Sequence, residues 1–124
     1  MAIATFSLVA LDCPDPSSLA HFSDGVLDGE VKRSNEDWYD LYTPDGARIA
    51  FQRAPGHQPP KWPSADHDSQ QAHLDFEVPD MDGAQQQVLA LGAKPLDLDD
   101  SDGRDSRVYA DPAGHPFCLC RIQP

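Results

Sequence analysis

"DPAGHPFCLC", Asp111 to Cys120, repeats the pattern of "TPDGARIAFQ", Thr43 to Gln52, and this repetition decides the fold. Aligning the two phrases pairs Pro44 with Pro112, Gly46 with Gly114, Ile49 with Phe117 and Phe51 with Leu119. Each copy therefore reads as a Pro/Gly turn feeding a strand whose alternate residues are apolar.

The match continues upstream. "FSLVALDCPDPSSLAHF" and "AHLDFEVPDMDGAQQQV" both run from an alternating strand through an Asp-containing turn into a helical pattern. "VLDGEV" and "VLALGA" then close the two helices on a glycine. Asp15 is the expected cap of the first helix, with Pro16 at its first position, where a missing N–H is harmless. Leu19, Phe22 and Val26 share one face. Asp80 caps the second helix, with Ala84, Val88 and Leu91 as its apolar stripe.

"GEVKRS", "DWYDLYT" and "ARIAFQR" supply the remaining strands of the first half, and "KPLDL", "SRVYAD" and "PFCLCRI" those of the second. The expected fold class is α+β: one domain, residues 1–124, built as two β-α-β-β-β modules over residues 2–54 and 70–122. Residues 55–69 join them; this proline-rich segment has no periodicity and is read as a linker anchored by Trp62. The acidic "DLDDSDGRD", Asp97 to Asp105, reads as a solvated hairpin loop, because it lacks the spacing and closing Glu of a calcium loop.

Strand alternation sorts the side chains. Val9, Leu11, Ile49, Phe51, Leu74, Phe76, Val78, Phe117 and Leu119 face the helices. The opposite side receives Leu8, Ala10, Arg48, Ala50, Gln52, His73, Asp75, Glu77, Cys118 and Cys120. Two curved four-stranded halves brought together would enclose a cleft lined by Leu8, Ala50, Gln52, His73, Cys118 and Cys120, the expected ligand-binding residues. Trp38, Tyr39 and Tyr42 read as strand packing or walls of that cleft, and His21, His57, His67 and His115 as surface residues.

Charge and composition exclude several partners. The chain has 124 residues, 21 acidic against 9 basic, a formal net charge of −12. Such a field repels phosphate backbones and anionic lipid, so nucleic acid and membrane partners are not expected. It would attract a cationic guest. The first residues lack the flanks of a secretory signal and no apolar run is long enough to span a bilayer, which points to the cytoplasm. Three cysteines, two of them at i and i+2, read as reduced thiols. No phosphate loop, G-x-S-x-G elbow or H-E-x-x-H pair is present. A cysteine nucleophile with His73 as base would need a lowered thiol pKa.

The duplicated order, with "HLDFEVPDMDGA", "VLALGA" and "VYADPAGHPFCLC", resembles the vicinal oxygen chelate superfamily: glyoxalase I, bleomycin-resistance proteins and extradiol dioxygenases. The resemblance implies two paired modules, often homodimers, and in metal-dependent members four ligands, typically a His and a Glu from each module. Carried over by motif, those positions are Leu8, Ala50, His73 and Cys118. Two offer no donor atom, so no metal cofactor is expected, with His73 and Cys118 the remaining donors for a divalent ion. The implied function is binding of a small organic ligand in the cleft. The alternative is a metal-dependent lyase, isomerase or dioxygenase of the glyoxalase I type.

Overall fold

The computed structural model describes residues 2–62, 69–100 and 104–122. The chain divides into two compact units, Met1–His57 and Gln58–Pro124. The division falls within the proline-rich segment.

In the first unit, β1 (Val9–Cys13) leads into α1 (Pro16–Leu27), followed by β2 (Glu30–Asn35), β3 (Trp38–Tyr42) and β4 (Arg48–Arg53). The helix starts where it does because the Asp15 side chain accepts the Ser18 N–H at 3.3 Å and Pro16 opens the first turn. The strands form one sheet in the order β1-β4-β3-β2, with β1 parallel to β4 and the other pairs antiparallel. A β1–β4 neighbour relation needs a crossover connection, which α1 and the β2–β3 pair provide. Leu19, Ala20 and Phe22 of α1 are buried with Leu41, Ile49 and Phe51 of β3 and β4. Burying each large side chain in this group contributes about 1.5–3 kcal/mol before entropy is counted.

The second unit repeats the plan: β5 (Leu74–Val78), α2 (Met81–Ala90), β6 (Lys94–Asp97), β7 (Ser106–Ala110) and β8 (Pro116–Arg121), in the order β5-β8-β7-β6. Asp80 caps α2 by accepting the Gly83 N–H at 3.2 Å. Phe117 lies 5.8 Å from Phe76 and 5.5 Å from Tyr109, ring centre to ring centre. The Tyr109 hydroxyl donates to Gln85 Oε1 at 2.6 Å, so this fully buried ring keeps its polar end satisfied by α2. The α+β class and the two β-α-β-β-β modules are as the repeat implies. No helix among the described residues is long and apolar enough to cross a membrane.

Several local expectations are corrected. The first helix does not close on its glycine: Asp28 takes the left-handed position, φ 53°, with its N–H on the Asp24 carbonyl. Gly29 is required for space instead, since a Cβ there would lie 2.3 Å from the Tyr42 carbonyl oxygen. Leu91 is 42 % exposed because α2 ends at Ala90 and Leu91 caps it; Met81 and Val88 carry the buried face. Val9 lies on the edge strand β1 and is exposed, while Cys13 at the other end of β1 is fully buried.

Among the described residues of the acidic loop, two aspartates are held in ion pairs rather than simply solvated. Asp97 binds Arg104, and Asp100 binds both Arg107 and Arg121 at 2.9 Å. These arginines hold both carboxyls below the usual range, Arg104 acting chiefly on Asp97 and Arg121 chiefly on Asp100. His57 and His115 are half-buried; the His115 N–H is held by the Asp111 carboxylate that organises the β7–β8 turn. His67 lies outside the described residues. Trp62 is half-buried.

Candidate functional site

In the second unit, the parallel register of β5 on β8 places Asp75 opposite Cys118 and Glu77 opposite Cys120. His73 immediately precedes β5, two residues from Asp75, and so shares its side of the sheet. Its Nε2 lies 3.2 Å from Asp75 Oδ1. One donor atom each from His73, Asp75 and Cys118 lies within 4.8 Å of the others. Asp75 belongs to this group although sequence reasoning did not name it as a site residue. The signal was present, since an Asp two positions after the His shares its face.

Burial first, and then the hydrogen bond to Asp75, push the Cys118 thiol up to about 12. Cys120 is also raised, by burial and then by Asp75 and Glu77. A thiol surrounded by carboxylates keeps its proton. Both shifts run against a role for Cys118 as a nucleophile with His73 as base, which needs a lowered thiol pKa. Beside the group, a recess of about 410 Å³ is lined by Asp75, Glu77, Asp105, Ser106, Cys120 and Arg121.

The first unit shows the same backbone with different side chains. Leu8 precedes β1 as His73 precedes β5, and β1 on β4 sets Ala10 opposite Ala50 and Asp12 opposite Gln52. Its carboxylate comes from the other flank, where Asp40 on β3 sits opposite Ala50. Asp40 is only 4 % exposed and accepts Arg48 Nε at 3.0 Å and Trp38 Nε1 at 3.2 Å. Trp38 thus has a polar role beyond strand packing. Gln52 is exposed and joins Trp38, Asn35, Asp37, Arg53 and Pro55 around a recess of about 610 Å³. Arg53 there is engaged by Asp37 at 2.9 Å and by the Pro14 and Glu36 carbonyls at 3.0 Å. Tyr42, on the same face, lies under the Lys32 and Arg48 cations.

Of the residues expected to bind ligand, Leu8, Ala50 and Gln52 therefore fall in the first unit, and His73, Cys118 and Cys120 in the second. The model of the glyoxalase-like domain family matches residues 8–120, nearly the whole chain. The chain belongs to the glyoxalase-like domain family. No curated protein matches it. Among solved structures, it is similar to a possible glyoxalase from Bacillus cereus: 13 % identity, 96 % of this chain and 99 % of that one, TM-score 0.71. A glyoxalase/bleomycin resistance protein/dioxygenase family enzyme from Burkholderia phytofirmans gives 16 %, 97 % and 100 %, and 0.72. A variant of the fosfomycin resistance protein FosX from Listeria monocytogenes, complexed with Mn(II) and 1S,2S-dihydroxypropylphosphonic acid, gives 17 %, 96 % and 90 %, and 0.68. At these identities the likeness establishes the fold.

The metal set that the family resemblance implies, and of which the FosX variant's Mn(II) is an instance in that protein, can be tested against the donor atoms present. The four carried-over positions hold a leucine, an alanine, a histidine and a cysteine, and the first two have no lone pair to offer. Ala50 is fully buried and faces Asp40, which Arg48 and Trp38 already occupy. The family's four-ligand set does not fit this chain.

Proposed function

We propose that this glyoxalase-like protein binds a small organic cation, holding it with side-chain carboxylates and hydrogen bonds rather than with a four-ligand metal centre. One observation carries the reading: Leu8 and Ala50 stand at two of the four metal positions. The recess along Asp75, Glu77 and Asp105 supports the cationic character, since three carboxyls line it against one guanidinium, Arg121, which Asp100 already engages. The net charge of −12 adds a favourable long-range field.

A thermal-shift and calorimetric screen in the presence of chelator tests this, using diamines, aromatic amines and basic glycopeptides beside neutral and anionic analogues. Cationic compounds stabilise the chain, and Glu77→Gln weakens their binding while leaving the melting temperature of the free protein nearly unchanged. A screen in which no cation shifts the melting curve sinks the proposal.

A second reading is a metal-dependent lyase, isomerase or dioxygenase. It is favoured by one observation, that His73 and Cys118 both retain donor atoms at family positions.

A further inference from the structure

We infer that Asp100, which does not line the recess along Glu77 and Asp105, is the positioning residue that makes this recess select cations. It holds the Arg121 guanidinium on the helix side of the sheet and so keeps a tethered cation away from the recess carboxylates. The inference deepens the proposed function and rests on its reading of the recess as an amine site.

Bonds to α2 mark the two sides of the second sheet. Arg107, opposite Leu119, donates to Asp82 and Gln85 of α2 at 3.0 and 3.2 Å, and Tyr109, opposite Phe117, donates to Gln85. Phe117 and Leu119 therefore belong to the helix side of β8, and strand alternation puts Arg121 with them and Cys120 on the recess side. Asp100 Oδ2 accepts Arg107 Nε and Arg121 Nη2, both at 2.9 Å. Because α2 anchors Arg107, and Arg107 anchors Asp100, Arg121 is drawn to the same side.

Arg121 has a second place to go. It is the last residue of β8 and also lines the recess with Glu77, Asp105 and Cys120. Its amide donates to the Asp105 carbonyl at 2.8 Å, which pins the backbone and leaves the side chain to move. That side chain is 42 % exposed, whereas Asp100 is 20 % exposed and the better fixed of the pair. A guanidinium released at the strand end would meet the recess carboxylates at an effective concentration on the order of millimolar or above, displacing a dilute amine. Asp100 thus acts twice: it removes the competitor and offsets its charge.

Cys120 reports the charge of the recess without any ligand. Its thiolate displaces methanesulfinate from a methanethiosulfonate reagent and forms a mixed disulfide, so the test compares a trimethylammonium reagent with a sulfonate reagent of equal length. Tandem mass spectrometry assigns the label to Cys120, and each rate is divided by that of a small free thiol. We expect the cationic reagent to be favoured about tenfold in the parent, and Asp100→Asn to lower that ratio about threefold or more. Asp100→Asn with Arg121→Gln returns the ratio to the parent's value or above, a rescue that a purely structural role of Asp100 does not give. Asp82→Asn, at the α2 end of the same network, leaves the ratio within about twofold. Circular dichroism of each variant establishes that it is folded. The inference is overturned if the parent shows no cation preference, if Asp100→Asn keeps the parent's ratio, or if the double variant stays as low as the single. Ratios that change as expected while no amine shifts the melting curve support the inference and sink only the proposed function. Amines that bind the parent and folded Asp100→Asn equally overturn the inference and leave the proposed function standing.

Discussion

The two sheets share a register and differ in where they keep their carboxylate. At the central strand of the first unit, Ala50 has Ala10 on one side and Asp40 on the other. At the matching point of the second, Cys118 has Asp75 on the first side and Val108 on the other. The acidic group has changed flanks, and its company has changed with it. Asp40 is buried and neutralised by Arg48, whereas Asp75 is exposed beside a histidine and a thiol. A duplicated backbone thus supports one face whose carboxylate is buried against an arginine and another whose carboxylate is exposed beside a histidine and a thiol.

The sharpest way to break this comparison is to give the central strand of the first unit a carboxylate of its own. Ala50→Glu places a second carboxylate at a fully buried position opposite Asp40. With no partner for the new charge, it destabilises the protein by about 3–5 kcal/mol, read from urea unfolding. A loss below about 1 kcal/mol, within the range of ordinary surface substitutions, would mean that the two faces are not chemically distinct in this way.

The turns offer a finer contrast. Gly46 and Gly114 occupy equivalent places with φ near +94° and +92°, yet a Cβ at Gly46 meets nothing within 4 Å while one at Gly114 would sit 2.4 Å from Pro59 Cβ. Gly46→Ala should cost only the left-handed backbone strain, about 1–2 kcal/mol. Gly114→Ala adds about 1–3 kcal/mol of overpacking. Equal losses in thermal unfolding would remove Pro59 as a packing partner of the turn.

The last contrast concerns the thiols and shows only at alkaline pH. Cys118 has a folded-state value of about 12, above the ordinary 9.0, so its stabilising contribution is complete below pH 9 and is lost as pH rises toward 12. Cys118→Ala should flatten the alkaline fall in stability while changing little of the pH dependence below pH 8. At pH 8, an alkylating reagent followed by mass spectrometry should modify the half-buried Cys120 before Cys118. The reverse order would contradict the carboxylate environment described for Cys118.

The strands and both helix starts were legible because alternation, Asp caps and Pro/Gly turns are local signals, and they agree twice in one chain. The face assignments of His73, Cys118 and Cys120 followed from the same period. What local signals could not convey was which strands become neighbours. Asp75 joins Cys118 only because β5 pairs with β8, and Asp40 meets Ala50 only because β3 pairs with β4. Asp100 likewise binds Arg121, 21 positions away, a pairing invisible to any short window. The glycine at the end of the first helix misled for a related reason. Its need comes from the approach of Tyr42 on a later strand, not from the turn in which it sits.

That glycine and its neighbour imply an unusual pattern of substitution tolerance. Asp28 carries the left-handed angle that ordinarily favours glycine, while Gly29 carries the steric restriction. A saturation library across the two positions should therefore enrich Gly and Asn at 28 and accept little but glycine at 29. An aligned family would display an invariant glycine one residue past the place where helix-termination rules would put it.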